Sequence, residues 1–422
     1  MSKEVVLEKL VTNQKRVDFY FNVKGGIQKY FKKSKHLFFK YNLDIEEVPT
    51  SILTIPFIAN IIPLVWLTNS KIIVPELDRA FYDCLPKLKE AYQDMFPEVK
   101  LGGEISVSSI IENSYTPDHE AAQLFSGGLD ALATFVRIRE KKPILITEFG
   151  WHKDHIENSE VWIQDMLHVT EFGKRKKLSN MLIESNYGTF LNASIIDRDF
   201  AKKLGDSWWH GLHHSLAIIS AAIPSAFLLK VECVYIASSF FEGFKAKCAS
   251  DPTVDNQIRF ASGRVFHDGY ELNRQDKVGV LVNYCKKNNE YEKLRVCFLK
   301  ENNCCNCEKC IRTMVGIIGE GENPEKFGFV TSTNLSTHIK VFLEENVKYF
   351  NGSKIMQWNL AKYKMRENRE NIQYQDLLEW FLNYDFALER KKSLIKYRIT
   401  KFIPIIKRRI YTKLTNIFVQ NT

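Results

Sequence analysis

The sequence predicts an α/β protein built around a doubly wound, mostly parallel sheet. From about residue 119 onward, short apolar runs alternate with stretches of helical spacing. A glycine pair, in the segment SGGLDA at Ser126–Ala131, directly follows one of these runs. With 422 residues, 45% of them hydrophobic, the chain is long enough for a large core. Strands that alternate with helices favour a parallel sheet with helices on its faces.

The alternating region is predicted to contain four strands and four helices. The predicted strands are Ala121–Phe125, Pro143–Phe149, Met181–Ser185 and Val231–Ala237. The predicted helices are Asp130–Glu140, Asn158–Lys177, Trp209–Leu229 and Arg274–Lys286, and Arg295–Phe298 is expected to be extended. Ligands of such sheets bind at the carboxyl ends of the strands where strand order reverses, and the glycine pair follows a strand at one such end.

The flanking segments predict two further parts of the chain. Residues 1–118 read as an α+β extension that ends near Pro117. Its predicted elements are extended runs at Val17–Lys24, His36–Tyr41 and Glu104–Ile111, an apolar segment at Ser51–Trp66 and a helix at Glu76–Met95. Residues 331–422 are mostly helical in pattern. The predicted domains are therefore 1–118, 119–330 and 331–422.

Cysteine usage and the N-terminus predict a cytoplasmic protein. Nine cysteines, five of them within fourteen positions, are typical of a metal site in a reducing compartment rather than of a disulfide framework. The N-terminal residues show no apolar signal segment. Val48–Ser70 and Ser207–Leu229 lack formal charge over a membrane-spanning length, but prolines, histidines and polar residues interrupt them. We expect both to be buried helices.

The basic charge of the chain is concentrated at its C-terminus. From Arg390 onward there are ten Lys/Arg and no Asp or Glu, so 49 basic residues face 50 acidic ones in the remainder. Isoleucines and other apolar residues are interleaved with these charges. Such an amphipathic basic segment suits an anionic membrane surface or a nucleic acid. Packing of its apolar side against the body is the alternative, and the sequence leaves all three open.

The segment Ser126–Asp130 predicts a phosphate site. A glycine pair between a strand and a helix leaves backbone N–H groups free to surround an anion, and the helix N-terminus adds its positive dipole end. The GK[ST] ending of a Walker loop is absent. An ordinary turn is the alternative.

Four cysteines, at Cys297, Cys304, Cys307 and Cys310, have the spacing C-x6-C-x2-C-x2-C. Four thiolates can close a tetrahedral zinc site, which leaves no position for water and so predicts a structural role. An iron–sulfur cluster remains open as an alternative. Cys305 is a spare thiol that could replace Cys304.

Together these motifs resemble the PP-loop ATP pyrophosphatases, and among them the 7-cyano-7-deazaguanine synthases. SGGLDA is similar to the SGGxDS phosphate loop of that family, and the cysteine cluster followed by a helix is similar to its zinc-binding end. ELNRQDKVGVLV at Glu271–Val282 and the histidine-rich helix at Trp208–Ala226 also resemble family segments. The resemblance covers residues 119–320.

The resemblance implies an adenine nucleotide alpha hydrolase-like fold that binds ATP, Mg²⁺ and Zn²⁺. It implies adenylation of a carboxylate, followed by amide or nitrile formation on a small-molecule acid. The implied ATP-binding residues are Ser126, Gly127, Gly128, Leu129, Asp130 and Ala131. The implied catalytic residues are Asp130, Arg274 and Lys277. The implied substrate-binding residues are His210, His213, Ser238, Asp251 and Asp268.

The chain departs from the family at Ala131, where the family loop ends in a serine. One phosphate donor is lost, so an inactive nucleotide-binding scaffold is an alternative function. A PP-loop tRNA-modifying enzyme, with the basic tail holding RNA, is a second alternative. The long N-terminal extension favours a specialised substrate, with a protein or RNA as acceptor and a homodimer as further expectations.

Overall fold

The computed structural model describes residues 2–151, 159–244, 246–297, 302–330 and 334–400. The chain divides into two compact units, Met1–Asn273 and a second that begins at Arg274. This division differs from the boundaries at 118 and 330 that the sequence suggested.

One mixed, mostly parallel sheet is the centre of the first unit. Its strands are β1 (Glu4–Asn13), β2 (Arg16–Lys24), β3 (His36–Tyr41), β4 (Lys71–Asp78), β5 (Glu104–Ile111), β6 (His119–Leu124), β7 (Ile144–Phe149), β8 (Asn180–Ser185), β9 (Val231–Ala237), β10 (Arg259–Phe260) and β11 (Gly263–Asp268). Their order is β10-β11-β9-β6-β7-β8-β3-β2-β1-β4-β5. The α/β class predicted from the alternating pattern is confirmed.

The helices of the first unit follow in chain order. They are α1 (Thr50–Thr68), α2 (Arg79–Met95), α3 (Leu129–Ile138), α4 (Glu160–Lys176), α5 (Ala193–Leu204), α6 (His214–Leu228) and α7 (Pro252–Asp255). A π-helical turn, Trp209–His213, leads into α6. Such turns are frequent at functional sites.

Strand order reverses at β6 in the parallel part of the sheet. The chain runs outward from β6 to β7 and β8, and then returns to the other side of β6 to form β9 and β11. All five strands are parallel to their neighbours in this part. The loops that leave β6 and β9 therefore diverge at the carboxyl edge, which is where ligands bind in open α/β sheets.

Alternate residues of β9 face opposite layers. Cys233 and Tyr235 pack with Ile138 of α3, whereas Val234 and Ile236 belong to the large core that contains α6. This alternation follows from the period of two in a strand. Helices thus cover both faces of the parallel strands.

The N-terminal segment is part of the same sheet. Strands β1 to β5 extend it through the antiparallel pairing of β3 with β8. The prediction of a helix from Glu76 was wrong at its start, because Glu76–Asp78 completes β4 and the helix begins at Arg79. Asp78 caps that helix by accepting a hydrogen bond from the Phe81 amide at 3.0 Å.

Among the residues that the structure describes, two helices have the length and composition to cross a membrane, Thr50–Thr68 and Trp209–Leu228. In this fold both are largely buried, α1 to 94% and the second to 78% over the most apolar window. They pack against each other and against the sheet. Their burial agrees with the expectation of core helices.

The second unit is helical in its described part. Its helices are α8 (Arg274–Asn288), α9 (Glu308–Gly319), α10 (Leu335–Asn346), α11 (Gly352–Glu367) and α12 (Gln375–Asn383), and residues 386–400 are also helical. Helices α8, α9 and α11 pack on one another. Residues 291–297, which lead to the cysteines, form neither helix nor strand, and Phe298 lies outside the described residues.

Candidate functional site

The glycine loop lies at the carboxyl end of β6, where strand order reverses. The Phe125 amide donates to the Ile146 carbonyl of β7 at 2.7 Å, and the Thr147 hydroxyl donates to the Phe125 carbonyl at 2.6 Å. These two bonds fix the exit of the loop from the sheet. Gly128 then occupies the N-cap position of α3.

Both the backbone conformation and the neighbouring side chain favour glycine at position 127. Its φ is +70°, a conformation that disfavours a Cβ, and a Cβ built there would collide with the imidazole of His168 in α4. The loop therefore packs tightly on α4. His168 is a loop neighbour that sequence reasoning missed, because nothing in the helical spacing of α4 singles it out.

The remaining loop residues differ in their exposure at the start of α3. Ser126 is exposed, Asp130 lies half-buried in the first turn, and Leu129 is buried. Ala131 is 5% exposed, and its carbonyl accepts a hydrogen bond from the buried Gln123 side chain at 2.6 Å. The first N–H groups of a helix lack intrahelical partners, so this end can bind an anion.

Asp268, a predicted substrate residue, anchors α3, the helix that follows the glycine loop. Its carboxylate accepts from the Thr134 hydroxyl of α3 at 2.8 Å and pairs with Arg137 of the same helix at 3.1 Å. Arg137 also pairs with the exposed Glu271 at 2.6 Å. Asp268 thus connects the end of β11 with α3.

Ser238 and Asp251 have local structural partners. The Ser238 amide donates to the Asp268 carbonyl at 2.9 Å, and its hydroxyl donates to the Phe240 carbonyl at 2.8 Å. Asp251 caps α7 by accepting from the Thr253 amide at 2.9 Å and from its hydroxyl at 2.6 Å.

The two predicted substrate histidines differ in environment. His213 is buried, faces Asn60 of α1 at 3.0 Å and stacks on Trp208, and burial lowers its pKa to about 3. It is a neutral core histidine. His210 is partly exposed, pairs with Asp206 at 2.6 Å and stacks on the ring of His214. His210 is therefore the more accessible of the two.

Two buried polar clusters lie outside the set of predicted site residues. Asp255 accepts from His267 Nδ1 at 2.7 Å and from the Ser250 hydroxyl at 2.8 Å, and also from Ser215. Glu148, at the end of β7, accepts from the Tyr187 hydroxyl at 3.2 Å, and burial raises its pKa well above the usual value. The sequence signal for Glu148 was a polar residue near the end of an apolar strand, whereas Asp255 lies in the short helix α7.

The four predicted metal ligands meet in the second unit. The sulfurs of Cys297, Cys304, Cys307 and Cys310 all lie within 4.8 Å of one another. Tetrahedral zinc with Zn–S bonds of about 2.3 Å places its sulfurs about 3.8 Å apart, so a small contraction completes the site. This geometry fits a metal ion such as zinc.

Local structure holds the cysteines in this arrangement. The side chain of Asn303 accepts from the Val296 amide at 3.0 Å and donates to the Leu294 carbonyl at 2.7 Å. Cys307 is the N-cap of α9, where the helix dipole favours a thiolate. A hydrogen bond from Cys310 lowers the pKa of Cys307 to about 5, and the same bond raises the pKa of Cys310.

Cys305 lies outside the ligand group. Its backbone has a φ of +54°, its thiol points to the Asn303 carbonyl at 3.6 Å, and its own carbonyl accepts from His338 at 2.7 Å. Of the two adjacent cysteines, Cys304 is therefore the candidate ligand.

Arg274 and Lys277 belong to α8 of the second unit. Lys277 is 3% exposed, and Arg274 is half-buried. Their neighbour Gln275 is also buried and donates to Glu320 at 2.7 Å and to the Gly316 carbonyl of α9 at 3.0 Å.

Comparison with protein-family models, with curated proteins and with solved structures gave no match to this chain.

Proposed function

We propose that this chain is an ATP-dependent enzyme of the PP-loop type that adenylates a carboxylate and transfers the acyl group to ammonia or another amine. The product is an amide or, after a second dehydration, a nitrile. One observation carries the proposal: a Gly-Gly loop connects β6 to the N-terminus of α3 at the reversal of strand order.

Phosphate binding follows from the ends of these elements. The amides at the start of α3 are directed to the carboxyl edge of the sheet, and the Leu132 amide is the donor to the Gly128 carbonyl that begins the helix. The exposed Ser126 hydroxyl adds a donor beside them. A triphosphate supplies the negative charge that such a site stabilises.

Asp130 is the residue that we propose to bind Mg²⁺. A carboxylate beside a phosphate-binding loop repels the phosphates unless a cation lies between them. Mg²⁺ is bound in proteins by one or two carboxylates together with substrate phosphates. Asp130, in the first turn of α3, would hold Mg²⁺ through its carboxylate.

The chemistry needs positioning and charge stabilisation rather than an enzyme nucleophile. A substrate carboxylate oxygen attacks the α-phosphorus of ATP, the bond from that phosphorus to the bridging oxygen breaks, and pyrophosphate leaves. The amine then attacks the acyl carbon, AMP leaves, and the amine loses a proton.

The test is release of AMP and pyrophosphate by the purified chain with ATP, Mg²⁺, an amine and a panel of acids that includes deazapurine carboxylates. Asp130→Asn should abolish turnover, since it removes the metal-bridging charge. Glu140→Gln changes an exposed carboxylate just after the same helix and should have no effect. Full turnover by Asp130→Asn would exclude the mechanism.

An inactive nucleotide-binding scaffold is favoured by one observation, Ala131 at the position of the family serine. It predicts that ATP raises the unfolding temperature while no acid on the panel yields AMP. A tRNA acceptor would be recognised in the same assay by AMP release that requires added tRNA.

A further inference from the structure

The helix at residues 386–400 uses one face to pack on the second unit. Phe386 is 2% exposed and contacts Trp358 and Phe381, each at 5.7 Å between ring centroids. Tyr397, three turns further along, lies against Tyr349 at 6.4 Å. At about 100° per residue, Phe386 and Tyr397 lie on one side of the helix. This side is the attached face.

The opposite side is apolar and exposed. Leu388, Ile395 and Ile399 are 47%, 50% and 53% exposed, although each is a large aliphatic side chain. Their spacing places all three within about 40° of one another, about 180° from Tyr397. We call these three residues the exposed stripe. The helix has already buried an apolar face, so packing on the body does not account for this second one.

Basic side chains flank the exposed stripe on both sides. Lys392 and Lys396 follow one edge, and Lys391 and Arg398 follow the other, each within about 80° of the stripe centre. All four are exposed. Glu389 is the one acidic residue between 386 and 400, and it pairs with Lys392 at 2.7 Å.

We propose that the exposed stripe and its basic flanks dock on an anionic lipid surface. Aliphatic side chains would enter the headgroup region, and the lysine and arginine stems would extend to the phosphates on either side. Charge complementarity selects an anionic membrane. A nucleic acid would use the same cations but would gain little from three aliphatic side chains, since proteins stack bases on aromatic residues.

The test is sedimentation of the full chain with vesicles of phosphatidylcholine alone or mixed with phosphatidylglycerol. The chain should sediment with the mixed vesicles and not with phosphatidylcholine. The double variant Ile395→Ser/Ile399→Ser keeps every charge and should lower the partition coefficient by about tenfold or more, because each isoleucine loses its apolar transfer. Val341→Ser, at an exposed valine of α10, should bind like wild type.

A second pair of variants separates lipid from nucleic acid. Lys391→Gln/Lys396→Gln should weaken vesicle binding and make it less sensitive to salt. Unfolding temperatures equal to wild type in all variants would exclude a folding defect. The proposal is overturned if the chain does not bind mixed vesicles, or if the Ile395/Ile399 variant binds them as tightly as wild type. If either of these two results is found and tRNA binds tightly, with a loss only in the lysine variants, this surface is assigned to nucleic acid.

Discussion

The imidazole of His168 occupies the space that a side chain on Gly127 would need. The glycine loop therefore packs between its own strand and α4, and its shape depends on a residue more than forty positions away. A loop held in this way is already formed before a ligand arrives, so an anion would bind there without the loop first losing conformational freedom.

Gly127→Ala should eliminate nucleotide binding. The alanine meets a φ of +70°, which costs about 1 kcal/mol, and it also collides with His168. Gly205→Ala is the matched control, since Gly205 has a φ of +73° but open space around it. Both variants should lose similar backbone stability, and only Gly127→Ala should lose ATP binding in calorimetry. Equal ATP affinities in the two variants would contradict the role of this loop.

Asp268→Ala should detach α3 from the end of β11. It removes hydrogen bonds to Thr134 and Arg137, one of them charge-assisted, and should lower the free energy of unfolding by about 2 kcal/mol. Glu271→Ala removes the exposed partner of the same Arg137 and should cost less than about 0.5 kcal/mol. Urea denaturation measures both. Similar losses in the two variants would show that the buried network does not hold the helix.

Because of the buried Glu148, the free energy of unfolding should fall as pH rises. Burial raises the pKa of its carboxyl group well above 4.5 in the folded chain, so the folded state binds the proton more tightly than the unfolded state. This contribution is fully present below pH 4.5 and declines as pH rises above it, by at most about 1.4 kcal/mol per pH unit.

Glu148→Gln should therefore be more stable than wild type at pH 8, and the difference should shrink toward pH 5. Glutamine keeps an acceptor for the Tyr187 hydroxyl without an ionisable group. Unfolding temperatures between pH 5 and pH 8 measure the effect, with the exposed Glu140→Gln as control. A constant difference across this range would mean that Glu148 does not titrate differently on folding.

The order of elements was accessible from the sequence because β6 to β9 are apolar and their connections have helical spacing. The prediction missed β1, β4, β11 and the two-residue strand β10. Charged residues interrupt the apolar pattern of β1, Pro75 interrupts that of β4, and β11 alternates buried with exposed residues in a polar context. The joining of residues 1–118 to the sheet depends on pairing between β3 and β8, a long-range contact that no local pattern encodes.

The parts of the candidate site that could be predicted are those that depend on short-range sequence patterns. The glycine loop and the cysteines act through spacing along the chain, so their positions could be predicted. The structural contacts of Asp268 and His213 could not be predicted, because their partners Thr134 and Asn60 are distant in sequence. His168 and Glu148 escaped prediction for the same reason.

Loss of one cysteine ligand should remove the metal. Cys307→Ser and Cys310→Ser should each lower metal content from about one ion per chain and lower the unfolding temperature, since metal binding is coupled to folding. Cys305→Ser, which changes a thiol outside the ligand group, should retain the metal. Elemental analysis distinguishes zinc from iron, and a visible absorption band would identify an iron–sulfur cluster. Metal-free wild-type protein would refute the site.

Ala131→Ser should strengthen ATP binding if the loop holds phosphate. The position lies in the first turn of α3, where a hydroxyl can add a donor to the amides and to Ser126. A hydrogen bond to a charged group contributes about 1.5–3 kcal/mol, so the dissociation constant for ATP should fall by about tenfold or more. Ala133→Ser, at a buried alanine two residues further along the helix, is the matched control and should bind no better than wild type. Calorimetry with ATP and Mg²⁺ compares the three proteins. If Ala131→Ser and Ala133→Ser bind ATP equally, the phosphates do not lie at this end of the helix.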